Sequence, residues 1–65
     1  MRYFLIFIGC RYENISSHGH FFLREDHFPS VGYCEELAMQ KNMLADSVFI
    51  TGITELTEKD YNNLN

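Results

Sequence analysis

From Tyr3 to Ile8 every residue is apolar. Successive side chains of a strand point to opposite faces, so Tyr3, Leu5 and Phe7 would share one face and Phe4, Ile6 and Ile8 the other. A strand apolar on both faces belongs at the centre of a sheet, covered on both sides. The β-branched and aromatic content of the segment as a whole makes Arg2 to Tyr12 the expected strand. The run is far shorter than the ~20 residues of a membrane span. It lacks the small-residue cleavage site of a secretory signal. Cys10 and Cys34 have no CxxC spacing, so free thiols and a cytoplasmic location are expected.

The remaining pattern supplies what would surround that strand. Glu13 to Gly19 reads as a turn, from Asn14, Ser16, Ser17 and Gly19. A second strand is expected from about His18 to Glu25, ended by Glu25-Asp26-His27 and Pro29. Ser30 is a good N-cap for a helix from about Val31 to Met43. Val31, Cys34, Leu37, Ala38 and Leu44 fall on one arc of that helix, with Met39 and Met43 on its outer side. After a loop at Ala45-Asp46-Ser47, a third strand is expected from Val48 to about Glu55. Val48, Ile50 and Gly52 would alternate there with Phe49, Thr51 and Ile53. Thr57 to Asp60 resembles a capping sequence before a terminal helical turn.

A hairpin followed by a right-handed crossover through the helix gives sheet order 2-1-3. Residues 1–65 are therefore expected to form a single α+β domain, ββαβ plus a short C-terminal helix. Its antiparallel three-stranded sheet would pack one helix. A domain of this length buries only about 60% of its unfolded surface. One helix covers one face, and no other segment looks long enough to cover the second. Self-association into a homo-oligomer is the expected remedy. The pattern leaves open which face of the first strand meets the helix.

The formal net charge is −4, which argues against nonspecific DNA binding. The charge is uneven: residues 1–24 carry Arg2, Arg11 and Arg24 against Glu13 alone, whereas residues 25–65 carry eight acids. An anionic ligand would therefore meet the N-terminal half. His18-x-His20 presents two imidazoles to one side. Zinc there would need Cys10 or His27 and a further ligand, so no metal or other cofactor is expected. Cys10 has no evident base, Cys34 lies on the apolar arc, and Glu35-Glu36 reads as a solvated helix face. No catalytic set emerges, and the protein is read as a non-enzyme. Aromatic faces stack bases and arginine pairs with phosphates. Arg11, Tyr12, His18 and His20 at the hairpin end, with Arg24, are the residues left over for a ligand.

Several segments together resemble a widespread family of very short phage and prophage ββαβ proteins. These are Met1-Arg-Tyr-Phe-Leu, a Gly-containing turn before Phe21-Phe22-Leu23, Phe28-Pro29-Ser30 opening a helix, Ser47-Val-Phe-Ile, and Ile53-Thr-Glu-Leu-Thr-Glu-Lys-Asp-Tyr61-Asn-Asn. That family is similar to immune-evasion sponges of the anti-CBASS and anti-Thoeris type. The resemblance implies an oligomer in the host bacterial cytoplasm that sequesters a nucleotide second messenger, such as a cyclic dinucleotide or an ADP-ribose derivative. It adds Gly19 to the expected ligand contacts, with Gly19-His20 standing where the family usually has Gly-Asn. The alternatives are a protein-binding inhibitor of a host defence enzyme, for which the Met39/Met43 pair and acidic second half are suited, and an oligomeric interaction module without a ligand.

Overall fold

A computed structural model describes residues 1–65. Three strands and two helices follow in the order β1 (Arg2–Tyr12), β2 (Ile15–Glu25), α1 (Val31–Lys41), β3 (Ser47–Leu56) and α2 (Glu58–Leu64). The sheet order is β2-β1-β3, with β1 antiparallel to both neighbours. The two-faced apolar strand is thus the central one, and the α+β, ββαβ expectation holds.

The hairpin is tighter than the polar run suggested. Tyr12 pairs with Ile15, leaving only Glu13 and Asn14 in the turn. Glu13 has a φ of 53°, the left-handed region that Glu rarely occupies. A distant residue holds it there. The Asp46 carboxylate accepts the Glu13 backbone N–H, and the Asp46 N–H donates to the Arg11 carbonyl at 2.7 Å. Ser16, Ser17 and His18 consequently lie within β2, where their exposure suits an edge strand.

Helix α1 starts at the expected cap, where the Ser30 hydroxyl accepts the Tyr33 N–H at 3.2 Å. It stops at Lys41, two residues short of the sequence expectation, because Asn42 closes it. The Asn42 N–H donates to the Ala38 and Met39 carbonyls, and its side-chain amide donates to Ala38 at 2.8 Å. Cys34 and Ala38 are buried and Leu37 packs beside them. Val31 and Leu44 do not join this arc: both are exposed, Val31 in the first turn and Leu44 beyond the cap.

The helix settles which way β1 faces. Phe4, Ile6, Ile8 and Cys10 are buried with Cys34, Ala38 and Phe21 in one core. Tyr3, Leu5 and Phe7 occupy the opposite face. Phe28 closes the end of the core edge-on to Phe4, at 5.3 Å between ring centroids. Arg2 lies over both rings and pairs with Glu55 through two hydrogen bonds of 2.9 and 2.8 Å.

Strand β3 departs from simple alternation. Gly52 pairs with Phe7 but Ile50 pairs with Ile8, so Thr51 is an extra residue in a β-bulge. The expected alternation therefore fails at Thr51. Val48, Ile50 and Ile53 all pack against the core under α1, while Phe49 and Gly52 turn to the other face. Without the extra residue, Val48 and Ile50 would point away from Ile53. Apolar burial favours the bulge.

The second face is not left wholly bare, contrary to expectation. Thr57 caps α2 by accepting the Asp60 N–H at 3.1 Å, and the helix folds back onto that face. Tyr61 packs on Tyr3 at 4.9 Å and edge-on to Phe22 at 5.7 Å. No helix is long and apolar enough to cross a membrane.

Candidate functional site: the open sheet face

Helix α2 covers only the end of the second face that carries Tyr3 and Phe22. Towards the hairpin, the three strands present an uncovered surface. Register builds it row by row. Phe7 stands between His20 and Gly52, Gly9 between His18 and Phe49, and Arg11 between Ser16 and Ser47. Phe7 is 40% exposed and Phe49 is 51% exposed.

Two glycines shape this surface. The Phe49 ring reaches from β3 across the central strand and rests over Gly9, where any Cβ would overlap the ring. Gly9 therefore marks a close approach, while the bulge sits in the neighbouring strand. Phe7 lies over Gly52, with its Cδ2 3.7 Å from where a Cβ would stand. Gly9 leaves room for the Phe49 ring to lie low across the sheet, whereas a Cβ at Gly52 would meet Phe7 only at ordinary contact distance. His20 extends the aromatic surface towards the covered end, edge-on to Phe22 at 5.9 Å.

The charge on this face is one-sided. Glu25 and Glu55, the only carboxylates on the strands, share the parity of Phe4 and lie on the helix side. Arg11, His18, His20 and Arg24 lie on the open side. A chain with net charge −4 thus has a sheet face to which the strands contribute no acid. Carboxylates stand beyond the strands at both ends, Glu13 and Asp46 at the hairpin turn and Glu58 on α2 at the covered end. There, burial first and the Glu58 carboxylate second raise the Tyr3 phenol above its ordinary value.

The expected ligand residues divide between the two faces. Arg11, His18 and His20 come together with Phe7 and Phe49. Arg24 shares their face but stands six positions along β2 from His18, about 20 Å away. Tyr12 points to the helix side and packs against the core, and Gly19 pairs with Ile8, whose side chain lies 3.5 Å from where a Gly19 Cβ would stand. Phe49 was missed because strict alternation placed it beside Ile53. The signal was present in the spacing of Val48, Ile50 and Ile53, which no regular strand can bring to one face.

Other chemistry has less geometric support. Cys10 is buried on the face opposite His18 and His20 and cannot share a metal with them. No three His, Cys, Asp or Glu side chains cluster as metal ligands. Both thiols are free and buried, and burial, then Glu25, raises the Cys34 thiol, leaving it a poor nucleophile. A shallow cleft of about 370 Å³ opens between Glu25, His27, Phe28, Ser30 and Tyr33. Glu25 would repel an anion there, and no Arg or Lys lines it. The exposed rings Phe7 and Phe49 and the Arg11 guanidinium are gathered elsewhere, on the open sheet face.

Comparison of the chain with family models, curated proteins and solved structures gives no match.

Proposed function

We propose that the protein binds and sequesters a small nucleotide on the open sheet face, without covalent change to it. The observation that carries this reading is the pairing of two exposed rings, Phe7 and Phe49, with Arg11, His18 and His20 on a sheet face to which the strands contribute no carboxylate. Rings lying low on a sheet stack bases, and each stacked base contributes about 1–3 kcal/mol. Arginine and histidine at the margin suit phosphate. This fits the second-messenger sponge implied by the resemblance to short phage proteins, and it requires no nucleophile or general base.

Calorimetric titration with a panel of cyclic dinucleotides, cyclic trinucleotides and ADP-ribose derivatives tests the reading. At least one should bind and be recovered intact after denaturation. Phe49→Ala should weaken that ligand by about 5- to 150-fold, the equivalent of one stacked base. Absence of binding across the panel, or affinity unchanged in both Phe7→Ala and Phe49→Ala, would refute it.

A second reading has its own observation. Met39, Met43 and Leu44 are exposed around the end of α1, Met43 to 85% and Leu44 to 90%. Methionine-rich surfaces adapt to protein partners, which suits an inhibitor that masks a host enzyme. Loss of partner capture in Met43→Glu, with nucleotide binding unchanged, would favour it.

A further inference from the structure

We infer that β2 is a pairing edge for a second copy of this chain, giving a two-fold dimer with one continuous six-stranded sheet. The hairpin sets which groups of β2 face outward. A two-residue turn makes Tyr12 and Ile15 a mutually hydrogen-bonded pair. Such pairs alternate with non-bonded pairs along an antiparallel ladder. Ser17, Gly19, Phe21 and Leu23 therefore direct their N–H and C=O groups inward to β1. Ser16, His18, His20, Phe22 and Arg24 direct theirs outward, where no strand follows.

The two edges of the sheet are unequally protected. Strand β3 carries the Thr51 bulge, which bends its ladder and blunts pairing. Strand β2 runs for 11 residues with no bulge, no Pro and no Lys. Natural edges that stay single usually carry one of these devices. The occupant is a second copy because the edge is complementary to itself. Full antiparallel overlap puts the two-fold axis at His20 and sets His18 against the partner's Phe22 and Ser16 against the partner's Arg24. The only charged residues, Arg24 and Glu25, fall at opposite ends of the joint strand pair, so like charges do not meet.

Dimerisation through this edge leaves both open faces on the same side. His18 and His20 of the two copies then meet at the centre, between two Phe7/Phe49 pairs. That consequence for the ligand rests on the nucleotide reading; the dimer does not.

Sedimentation and amide hydrogen exchange, both without nucleotide, test the pairing. At high concentration the wild type should sediment at twice its 7.7 kDa chain mass. The amides of His18, His20 and Phe22 should exchange slowly there and become fast on hundredfold dilution. Those of Ser17, Gly19 and Phe21 should stay protected at both concentrations. His20→Pro removes an outward donor but no internal one, so it should fold and weaken the dimer by about tenfold or more. A monomer at high concentration with fast exchange at His18, His20 and Phe22 would overturn the inference. So would a dimer in which those amides remain fast, since it would use another surface. The exchange pattern of the wild type decides the matter even if His20→Pro does not fold.

Discussion

The two faces of this sheet are made from the same three strands, yet they serve different ends. The helix side gathers Phe4, Ile6, Ile8, Cys10, Phe21, Cys34 and Ala38 into the buried core, along with the carboxylates Glu25 and Glu55 at its margin. The open side keeps two aromatic rings in water, has no Cβ atom beneath Phe49, and presents Arg and His side chains in place of acids. The contrast teaches that hydrophobicity alone does not mark a core. Phe4 and Phe7 are the same residue type three positions apart on one strand, and one is fully buried while the other is 40% exposed.

The largest expected effect separates these two phenylalanines. Phe4→Ala empties a fully buried site and should cost about 3–5 kcal/mol, comparable to the whole stability of a domain this small. Thermal melting should show little or no cooperative transition. Phe7→Ala should shift melting far less, with its effect appearing in ligand affinity. Equal destabilisation by the two substitutions would erase the distinction between the faces.

A smaller effect is expected at Gly9. Gly9→Ala places a methyl group in the Phe49 ring and should cost about 1–3 kcal/mol as the ring is displaced. Circular dichroism should still report a folded sheet while nucleotide affinity falls. A variant with wild-type affinity would show that the low-lying position of Phe49 is irrelevant.

The smallest effect lies on the helix side. The Arg2 guanidinium, through its hydrogen bonds first and its charge second, holds the Glu55 carboxyl below its ordinary value. A carboxyl depressed in the folded state stabilises fully above the unfolded value of about 4.3 and loses that contribution as pH falls through the lowered folded value. Both partners are exposed, at 42% and 41%, so solvent screens the pair. Acid titration of stability should therefore show a slightly shallower decline below about pH 4.3 for Glu55→Gln than for the wild type. Identical acid profiles would indicate that the pair contributes nothing.

Much of the fold was legible in local pattern. Two-faced apolarity identified β1 as central, and Ser30 and Thr57 marked both helix starts. What local pattern could not supply depended on distant contacts. Glu13 sits in a left-handed turn because Asp46, 33 residues later, accepts its N–H. The Thr51 bulge exists because Val48, Ile50 and Ile53 all gain by lying under α1. The fold-back of α2 depends on Tyr61 finding Tyr3 and Phe22. The candidate site was legible in its charges, Arg11, His18 and His20, but not in its rings, because Phe49 reaches the open face only through the bulge.

The most direct test of the central claim is a nucleotide titration followed by residue-resolved NMR of isotopically labelled protein. Shifts should concentrate at Phe7, Gly9, Arg11, His18, His20 and Phe49, with the cleft residues Glu25, Phe28, Ser30 and Tyr33 unmoved. Saturable shifts centred on the cleft, with the open face silent, would contradict it.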